Sequence, residues 1–229
     1  MGSGHDVSYA MQPMLRERMS ETKLNGAEKR ARRELGKLFD AAWKREAKAA
    51  GWGYLKPTSF KRIDDWFVYL DPEISTERNS SKISAAVKPF AIDDLMSRIL
   101  GFEGLDGTPL SLRARGPHCL VVPMFSSSIE GDLNRMIELA TEFSKTMPVR
   151  VEGLTLADFA DFSAAPAGHV SAEQVAALIL AGEEEEAAKL CDLAIAIKQW
   201  GGPARTTADG KIVSFFHFAR QWIDEHRDA

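Results

Sequence analysis

The sequence predicts an α+β fold, in which an antiparallel sheet of four to five strands packs against an N-terminal helix and a C-terminal helical layer covers another side. Three observations support this prediction. Apolar residues recur at helical spacing over residues 27–50. Short runs rich in aromatic and β-branched residues, separated by turn residues, follow over 52–87. Helical periodicity then returns and dominates the chain from residue 127 onward.

The first predicted helix covers residues 27–50. Leu35, Phe39 and Trp43 belong to its apolar stripe, and lysines and arginines cover most of the remaining surface. Gly51 suits the C-terminal end of this helix, because glycine adopts the left-handed backbone conformation there without strain.

The chain has 229 residues, which suits one domain whose core needs no disulfide or structural metal. We expect residues 1–24 to form a flexible segment and residues 25–229 to form a single α+β domain. Within that domain, residues 25–125 are predicted to supply a helix and the sheet, and residues 126–229 to be mainly helical.

The predicted sheet begins with strands over residues 59–63 and 66–70. The Asp64-Asp65 pair between them predicts a tight hairpin. Asp71-Pro72 is expected to end the second strand, since proline cannot donate a backbone hydrogen bond.

A third strand is predicted over residues 83–87, where alternation indicates one polar face that continues to Lys88. Asp93 is expected to cap the helix that follows. A fourth strand is predicted over 118–125, and 149–151 is expected to form a short fifth strand.

The second half of the chain carries several helix-start signals. Thr155 and Ser171 each precede a helical pattern as a predicted cap. After Gly182, four consecutive glutamates at 183–186 open a further helix, where carboxylates complement the positive end of the helix dipole.

The formal net charge of −4 is distributed unevenly. Residues 1–62 contain fourteen Lys and Arg against seven Asp and Glu, whereas residues 63–229 contain fifteen against twenty-six. Acidic residues concentrate between residues 129 and 192, with thirteen acids and four bases. Such an asymmetry bears on the choice of partner and not on the fold.

The sequence contains no phosphate-binding glycine motif, no serine nucleophile elbow and no His-Glu-x-x-His zinc motif. His118 and Cys119 are adjacent on a predicted strand, so their side chains point to opposite faces and cannot share one ion. Helix capping accounts for the serines at 126–128 without pairing them with His169 or His217. The sequence therefore predicts no catalytic residue, no metal ion and no cofactor. An enzyme whose site no motif shows stays open as an alternative.

The order of elements from the first helix through Gly51-Trp52-Gly53, 59–62, 66–70 and 83–87 resembles the DUF4304-type domains of bacteria. In those domains a helix precedes a glycine-aromatic turn and an antiparallel sheet. The resemblance covers residues from about 25 to 125 of this chain. It implies an α+β domain, and some similar small proteins accompany polymorphic toxins as immunity proteins.

An immunity protein of this kind occludes its toxin, and an acidic surface speeds its association with a basic nuclease. The leading prediction is therefore a non-enzymatic protein-interaction module, most sharply an inhibitor of a basic toxin. The predicted partner-binding residues are Glu173, Glu183, Glu184, Glu185, Glu186 and Asp192. A secondary candidate is the turn formed by Lys61, Arg62, Asp64 and Asp65.

Nucleic-acid binding is the other alternative, because Trp52, Tyr54 and Phe60 are interleaved with the cations that follow the basic first helix. The acidic second half would repel a phosphate backbone, so we expect no nucleic-acid partner.

The apolar runs are far shorter than the roughly 20 residues of a membrane span. A cytoplasmic protein without a membrane partner is therefore expected, and the oligomeric state is left open.

Overall fold

The structure is a computed structural model and describes residues 23–77, 81–105, 107–115, 122–128, 133–199 and 202–226. Helices and strands alternate irregularly along these residues, and the predicted α+β class is confirmed. Their order is α1 (Gly26–Ala49), β1 (Gly53–Leu55), β2 (Thr58–Ile63), β3 (Trp66–Ile74), β4 (Ser81–Pro89), α2 (Ile92–Ile99), α3 (Leu110–Arg115), β5 (Val122–Ser128), α4 (Leu133–Val151), α5 (Leu156–Ser163), α6 (Ala172–Leu180), α7 (Glu184–Ala196), β6 (Ala204–Thr206), β7 (Ile212–Ser214) and α8 (Phe215–His226).

The main sheet is an antiparallel meander in the order β1-β2-β3-β4-β5, and β6 and β7 pair as a second, two-stranded sheet. The predicted hairpin between β2 and β3 is confirmed, with Ile63 opposite Trp66. Asp64 in its turn has a φ of 50°, a left-handed conformation that aspartate tolerates better than most residues.

The expected end of the second strand at Asp71-Pro72 is wrong, because β3 continues to Ile74. The β2–β3 pairing extends only to Ser59 opposite Leu70, and beyond it β3 pairs with β4 alone. Pro72 therefore sits where one edge of the strand is open, and its missing N–H costs no ladder hydrogen bond there.

The two faces of the main sheet bury different amounts of apolar surface. Alternate residues such as Val68 and Leu70 on β3, with Ala85 and Val87 on β4, point into one large core shared with the helices. On the opposite face, Phe60, Phe67 and Ala114 of α3 form a smaller cluster, with Tyr69 and Phe90 packed against it. We call these the inner and outer faces of the sheet.

Lys88 was expected to lie on a polar face of β4. Its side chain is instead buried on the outer face of the sheet. Asp93 is not the cap of α2, because Ala91 occupies that position and Asp93 lies in the first turn. The carboxylate of Asp93 instead accepts a hydrogen bond of 2.9 Å from Nζ of Lys88. Helix α3 covers this pair, and the carbonyl of its residue Arg113 accepts a hydrogen bond from Nζ of Lys88.

The helical layer covers the inner face, where α4 contacts α1, β3 and β4. The predicted strand over 149–151 is wrong, because these residues form the last turn of α4, which continues past Pro148. Met147 and Val151 are both buried on one side of that turn. Their spacing of four residues places both on one face of the helix.

The ends of several helices agree with the predicted caps. Thr155 and Asp158 form a capping box at α5, and the side chain of Ser171 accepts a hydrogen bond from the backbone N–H of Gln174 at α6. The predicted fourth strand is present as β5, and residues 118–121 lie outside the described ranges. The expectation that the serines at 126–128 cap a helix is wrong, because all three belong to β5 and pair with β4. Of the segment expected to be flexible, residues 1–22 lie outside them too, while the N–H of Leu24 donates to the carbonyl of Glu77 at 3.3 Å.

Candidate functional site

The four consecutive glutamates of the predicted interface lie at the start of α7. Glu183 is the cap residue without a side-chain capping bond, and Glu184–Glu186 form the first turn, as expected from the helix dipole. Glu185 and Glu186 are exposed, and Glu186 pairs with Lys189 at 3.1 Å. The carboxylates therefore face solvent and concentrate negative charge at one end of this helix.

The structure does not bring Glu173 to these glutamates. Glu173 lies in the first turn of α6, which packs against α7 after a short loop, so it is at the far end of this helical hairpin. Seven residues of helix separate it from the loop, or about 10 Å. Its carboxylate accepts a hydrogen bond of 2.6 Å from the hydroxyl of Ser171.

Asp192 lies two turns along α7 from the glutamates. Nε of Arg220 on α8 contacts its carboxylate at 3.1 Å, and Arg220 also pairs with Asp224. These contacts raise the pKa of Arg220, with the hydrogen bond to Asp224 as the largest cause. The negative charge of Asp192 is thus partly balanced, and the run of consecutive carboxylates is confined to the start of α7.

The second half of α7 exposes apolar side chains, which the sequence-based reasoning missed. Leu193 and Ile197 are 46% and 44% exposed, and their spacing of four residues places them on one helical face. A groove of about 400 Å³ runs beside this part of α7, and Ile212 of β7, 62% exposed, lines it. The other lining residues are Ala194, Ile195, Lys198, Gln199, Val213, Ser214 and His217.

We define the α7 surface as Glu183, Glu185, Glu186, Leu193, Ile197 and Ile212. The one signal in the sequence was the run Leu193-Ala194-Ile195-Ala196-Ile197, which is apolar on every side of the helix. A helix that is buried on one side only should carry polar residues on the other. Such a run is unusual at the end of an otherwise charged helix, but by itself it suits burial on every side, and the exposure of Leu193 and Ile197 follows from the tertiary packing.

A serine and a histidine meet at the start of α8. Oγ of Ser214 lies 3.0 Å from Nδ1 of His217. His217 follows Ser214 by three positions, so the pair is a local contact of the first helical turn. Among the described residues, no carboxylate is in hydrogen-bond contact with His217, and the third group that orients the base in a catalytic triad is missing there.

The secondary candidate, the β2–β3 turn, borders a different cavity of about 450 Å³. Arg62 and Asp65 line it, and Nη2 of Arg62 lies 3.8 Å from the carboxylate of Asp65. Nε of Arg62 donates to the carbonyl of Asp64 at 2.8 Å. Lys61 pairs with Val68 in the β2–β3 register, so its side chain leaves the strand on the face opposite to that of Arg62, and it does not line this cavity.

The ring of Phe90 supports Arg62. The guanidinium carbon atoms of Arg62 and Arg113 each lie 3.9 Å from the centroid of this ring. Two guanidinium groups at that distance cannot share one face, so they cover opposite faces of Phe90. Sequence reasoning did not identify Phe90, because its two cationic neighbours are 28 and 23 residues away in the chain.

A buried ionic network fixes the far side of Phe90. Nη1 of Arg113 donates to the carbonyl of Phe90 at 2.8 Å, and its Nη2 contacts the carboxylate of Asp94 at 2.9 Å. Lys88 binds both Asp93 and the carbonyl of Arg113. Each of the two cations is thus paired with a carboxylate, and the network positions Phe90 although none of its four side chains lines the cavity.

The aromatic side chains that supported the nucleic-acid alternative point into the protein. Trp52 and Phe60 are buried, and the hydroxyl of Tyr54 contacts the carbonyl of Asp40 at 3.4 Å. They do not offer an exposed platform on which bases could stack. Several cations of α1 are also engaged, as Arg32 donates to the carbonyl of Ser75 at 3.1 Å.

Within the described ranges, no group of three or more His, Cys, Asp and Glu side chains is placed to hold a metal ion. None of the described helices has the length and apolar character that crossing a bilayer requires. Comparisons with protein family models, with curated proteins and with solved structures find no match to this chain.

Proposed function

We propose that this chain is a non-enzymatic protein-interaction module, and that it binds a basic partner protein through the α7 surface. The most specific version of this proposal is an immunity protein that binds a basic toxin and inhibits it by occluding its active surface. The resemblance to DUF4304-type domains stays a prediction. It supports the immunity-protein proposal, but the proposal does not depend on it.

The observation that carries the proposal is the combination of exposed apolar and acidic groups on one helix. Leu193 and Ile197, four residues apart on α7, offer the exposed apolar side chains that the centre of a protein interface requires. Ile212 adds a further exposed apolar side chain in the groove beside the neighbouring face of the helix. The glutamates at the start of the same helix supply a field that attracts a positively charged partner. Apolar contacts then provide affinity, and the carboxylates favour a basic partner.

The same surface is a poor match for other classes of partner. Carboxylates repel the phosphates of nucleic acids, so a duplex or single strand would lose affinity by approaching α7. The Ser214–His217 pair beside the groove is a local contact at the start of a helix and does not by itself support catalysis. A protein partner uses both the apolar and the acidic parts of this surface.

The experiment is to co-express the chain with the product of each adjacent gene and to measure the affinity of any complex by calorimetry. Replacing Leu193 and Ile197 by alanine should raise the dissociation constant about tenfold or more. Replacing the four glutamates by glutamine should mainly slow association and weaken its dependence on salt. The proposed interface is wrong if both variants bind the partner as the wild type does.

A matched control uses exposed apolar residues elsewhere on the protein. Val149 on α4 and Phe162 on α5 are at least as exposed as Leu193. Their replacement by alanine removes a similar amount of exposed apolar surface and should leave the affinity unchanged. An equal loss of affinity in this control would show that the effect is not specific to α7.

A further inference from the structure

We propose that the cavity beside the β2–β3 turn binds an α-amino acid with an apolar side chain. We call this cavity the Phe90 pocket and define it by Arg62, Asp65, Trp66, Pro89, Phe90, Ala91, Leu154, Leu156 and Leu180. The proposal concerns a different surface from α7 and does not depend on the proposed function.

The size and lining of the Phe90 pocket suit a small molecule. Its volume of about 450 Å³ lies within the range of pockets that hold small ligands. Seven of its nine lining residues are apolar, and the remaining two carry opposite charges. Such a lining favours a ligand with an apolar body and a charged end, because apolar walls provide affinity and a few polar groups fix orientation.

Arg62 is held in an orientation that leaves part of its guanidinium group free to bind a carboxylate. Its plane stacks on Phe90, and its Nε is engaged by the carbonyl of Asp64. The side chain is still 49% exposed. Because guanidinium N–H groups form a rigid fork that matches a carboxylate, the two terminal nitrogens can donate hydrogen bonds to an anionic group at little cost in conformational entropy.

Asp65 determines which carboxylate ligand fits best. It lies at the rim of the pocket, and its carboxylate is 3.8 Å from Nη2 of Arg62. A ligand that carries only a carboxylate would be repelled by Asp65, whereas an ammonium group beside the carboxylate would be attracted to it. The two charged groups of an α-amino acid flank one carbon atom, so they match a cation and an anion that lie side by side.

The walls of the pocket are positioned before any ligand arrives. Trp66 and Pro89 are opposite each other in the paired strands β3 and β4, and both are buried. Phe90 is held by Arg113 through the network of Lys88, Asp93 and Asp94. A pocket fixed by a sheet and a buried network loses little freedom on binding, which favours affinity for a small ligand.

The experiment titrates the isolated chain with five compounds: L-phenylalanine, L-leucine, glycine, 3-phenylpropanoate and 2-phenylethylamine. Calorimetry measures the affinity of each compound, and changes in amide chemical shifts locate its binding site. We expect one of the two apolar amino acids to bind about tenfold or more tightly than glycine, 3-phenylpropanoate and 2-phenylethylamine. The shifted amides should be those of the pocket lining. Failure of both apolar amino acids to bind, or equal binding by 3-phenylpropanoate, would overturn the proposal.

Variants of the two charged residues test whether the amino acid binds in the Phe90 pocket. Arg62→Gln and Asp65→Asn should each weaken the binding of the amino acid about tenfold. Lys61→Gln, on the same strand but the opposite face, is the matched control and should bind as the wild type does. Circular dichroism checks that each variant is folded. Unchanged binding by folded Arg62→Gln protein would place the ligand elsewhere and contradict the proposal.

Discussion

Nζ of Lys88 lies 2.8 Å from Oδ2 of Asp93, and the two side chains are 1% and 0% exposed. Lys88 stands near the end of β4 and Asp93 in the first turn of α2, and their contact joins the outer face of the sheet to that helix. A second hydrogen bond of 2.7 Å runs from Nζ to the carbonyl of Arg113. The cation is therefore held entirely by protein groups.

Breaking this pair should be strongly destabilising. Asp93→Ala leaves the ammonium group of Lys88 buried without its counter-ion, and we expect a loss of about 3–5 kcal/mol in the free energy of unfolding. The double variant Lys88→Met/Asp93→Ala should recover a substantial part of that loss, because it removes the uncompensated charge as well. Urea unfolding of the single and double variants measures both effects.

The control for this prediction is the exposed pair of Glu186 and Lys189 on α7, at a distance of 3.1 Å. Glu186→Ala should change stability by about 1 kcal/mol or less, since water and salt screen an exposed pair. The single variants Lys88→Met and Asp93→Ala each lose some free energy of unfolding. If these two losses simply add in the double variant, the two charges are not coupled and the buried-pair explanation fails.

Two glycines should respond oppositely to replacement by alanine. A Cβ atom at Gly53 on β1 would collide with the ring of Phe60 across the hairpin, whereas one at Gly36 within α1 meets no atom within 4 Å. We expect Gly53→Ala to lose about 1–3 kcal/mol through overpacking. Gly36→Ala should gain up to about 1 kcal/mol from helix propensity. Thermal unfolding of both variants tests the difference, and equal effects would contradict it.

The buried thiol of Cys191 should make stability fall in alkaline solution. Burial is the main cause that raises the pKa of Cys191 from 9.0 to about 12, and the neighbouring charge of Asp192 adds to it. The folded protein keeps this proton while the unfolded chain releases it. The contribution to stability is thus fully present below about pH 9 and is lost as the pH rises towards about 12.

Cys191→Ala isolates this effect from other groups that titrate in the same range. Across the window between the two pKa values, the wild type should lose up to about 1.4 kcal/mol per pH unit more than the variant does. Unfolding by urea at a series of alkaline pH values gives the two slopes. Parallel slopes would mean that the thiol ionises equally in the folded and unfolded states.

The apolar residues of the α7 surface should contribute little to folding. The double variant Leu193→Ala/Ile197→Ala removes partly exposed side chains and should lower the free energy of unfolding by about 1 kcal/mol or less. Ala194 lies between them and is buried, so Ala194→Leu should cost about 1–3 kcal/mol through overpacking. Chemical unfolding measures both. A large loss in the first variant would show that Leu193 and Ile197 belong to the core.

The candidate sites were predicted only in part. The glutamates of α7 were identified because four carboxylates in succession are visible in any sequence, and Arg62 and Asp65 because they belong to a predicted turn. Phe90 was not identified, since the stacking of Arg62 and Arg113 on its ring depends on how β2, β4 and α3 come together. Contacts between residues distant in the chain leave no periodic signal.

By itself, the sequence determined the fold class, the first helix, the β2–β3 hairpin and the caps of α5 and α6. These features depend on interactions among near neighbours, such as hydrophobic periodicity and hydrogen bonds within a single turn. The tertiary structure alone decided that Lys88 is buried, because α3 covers a strand face whose polar character had indicated exposure. It also decided that Leu193 and Ile197 are exposed, since an apolar residue is buried only where another element packs against it.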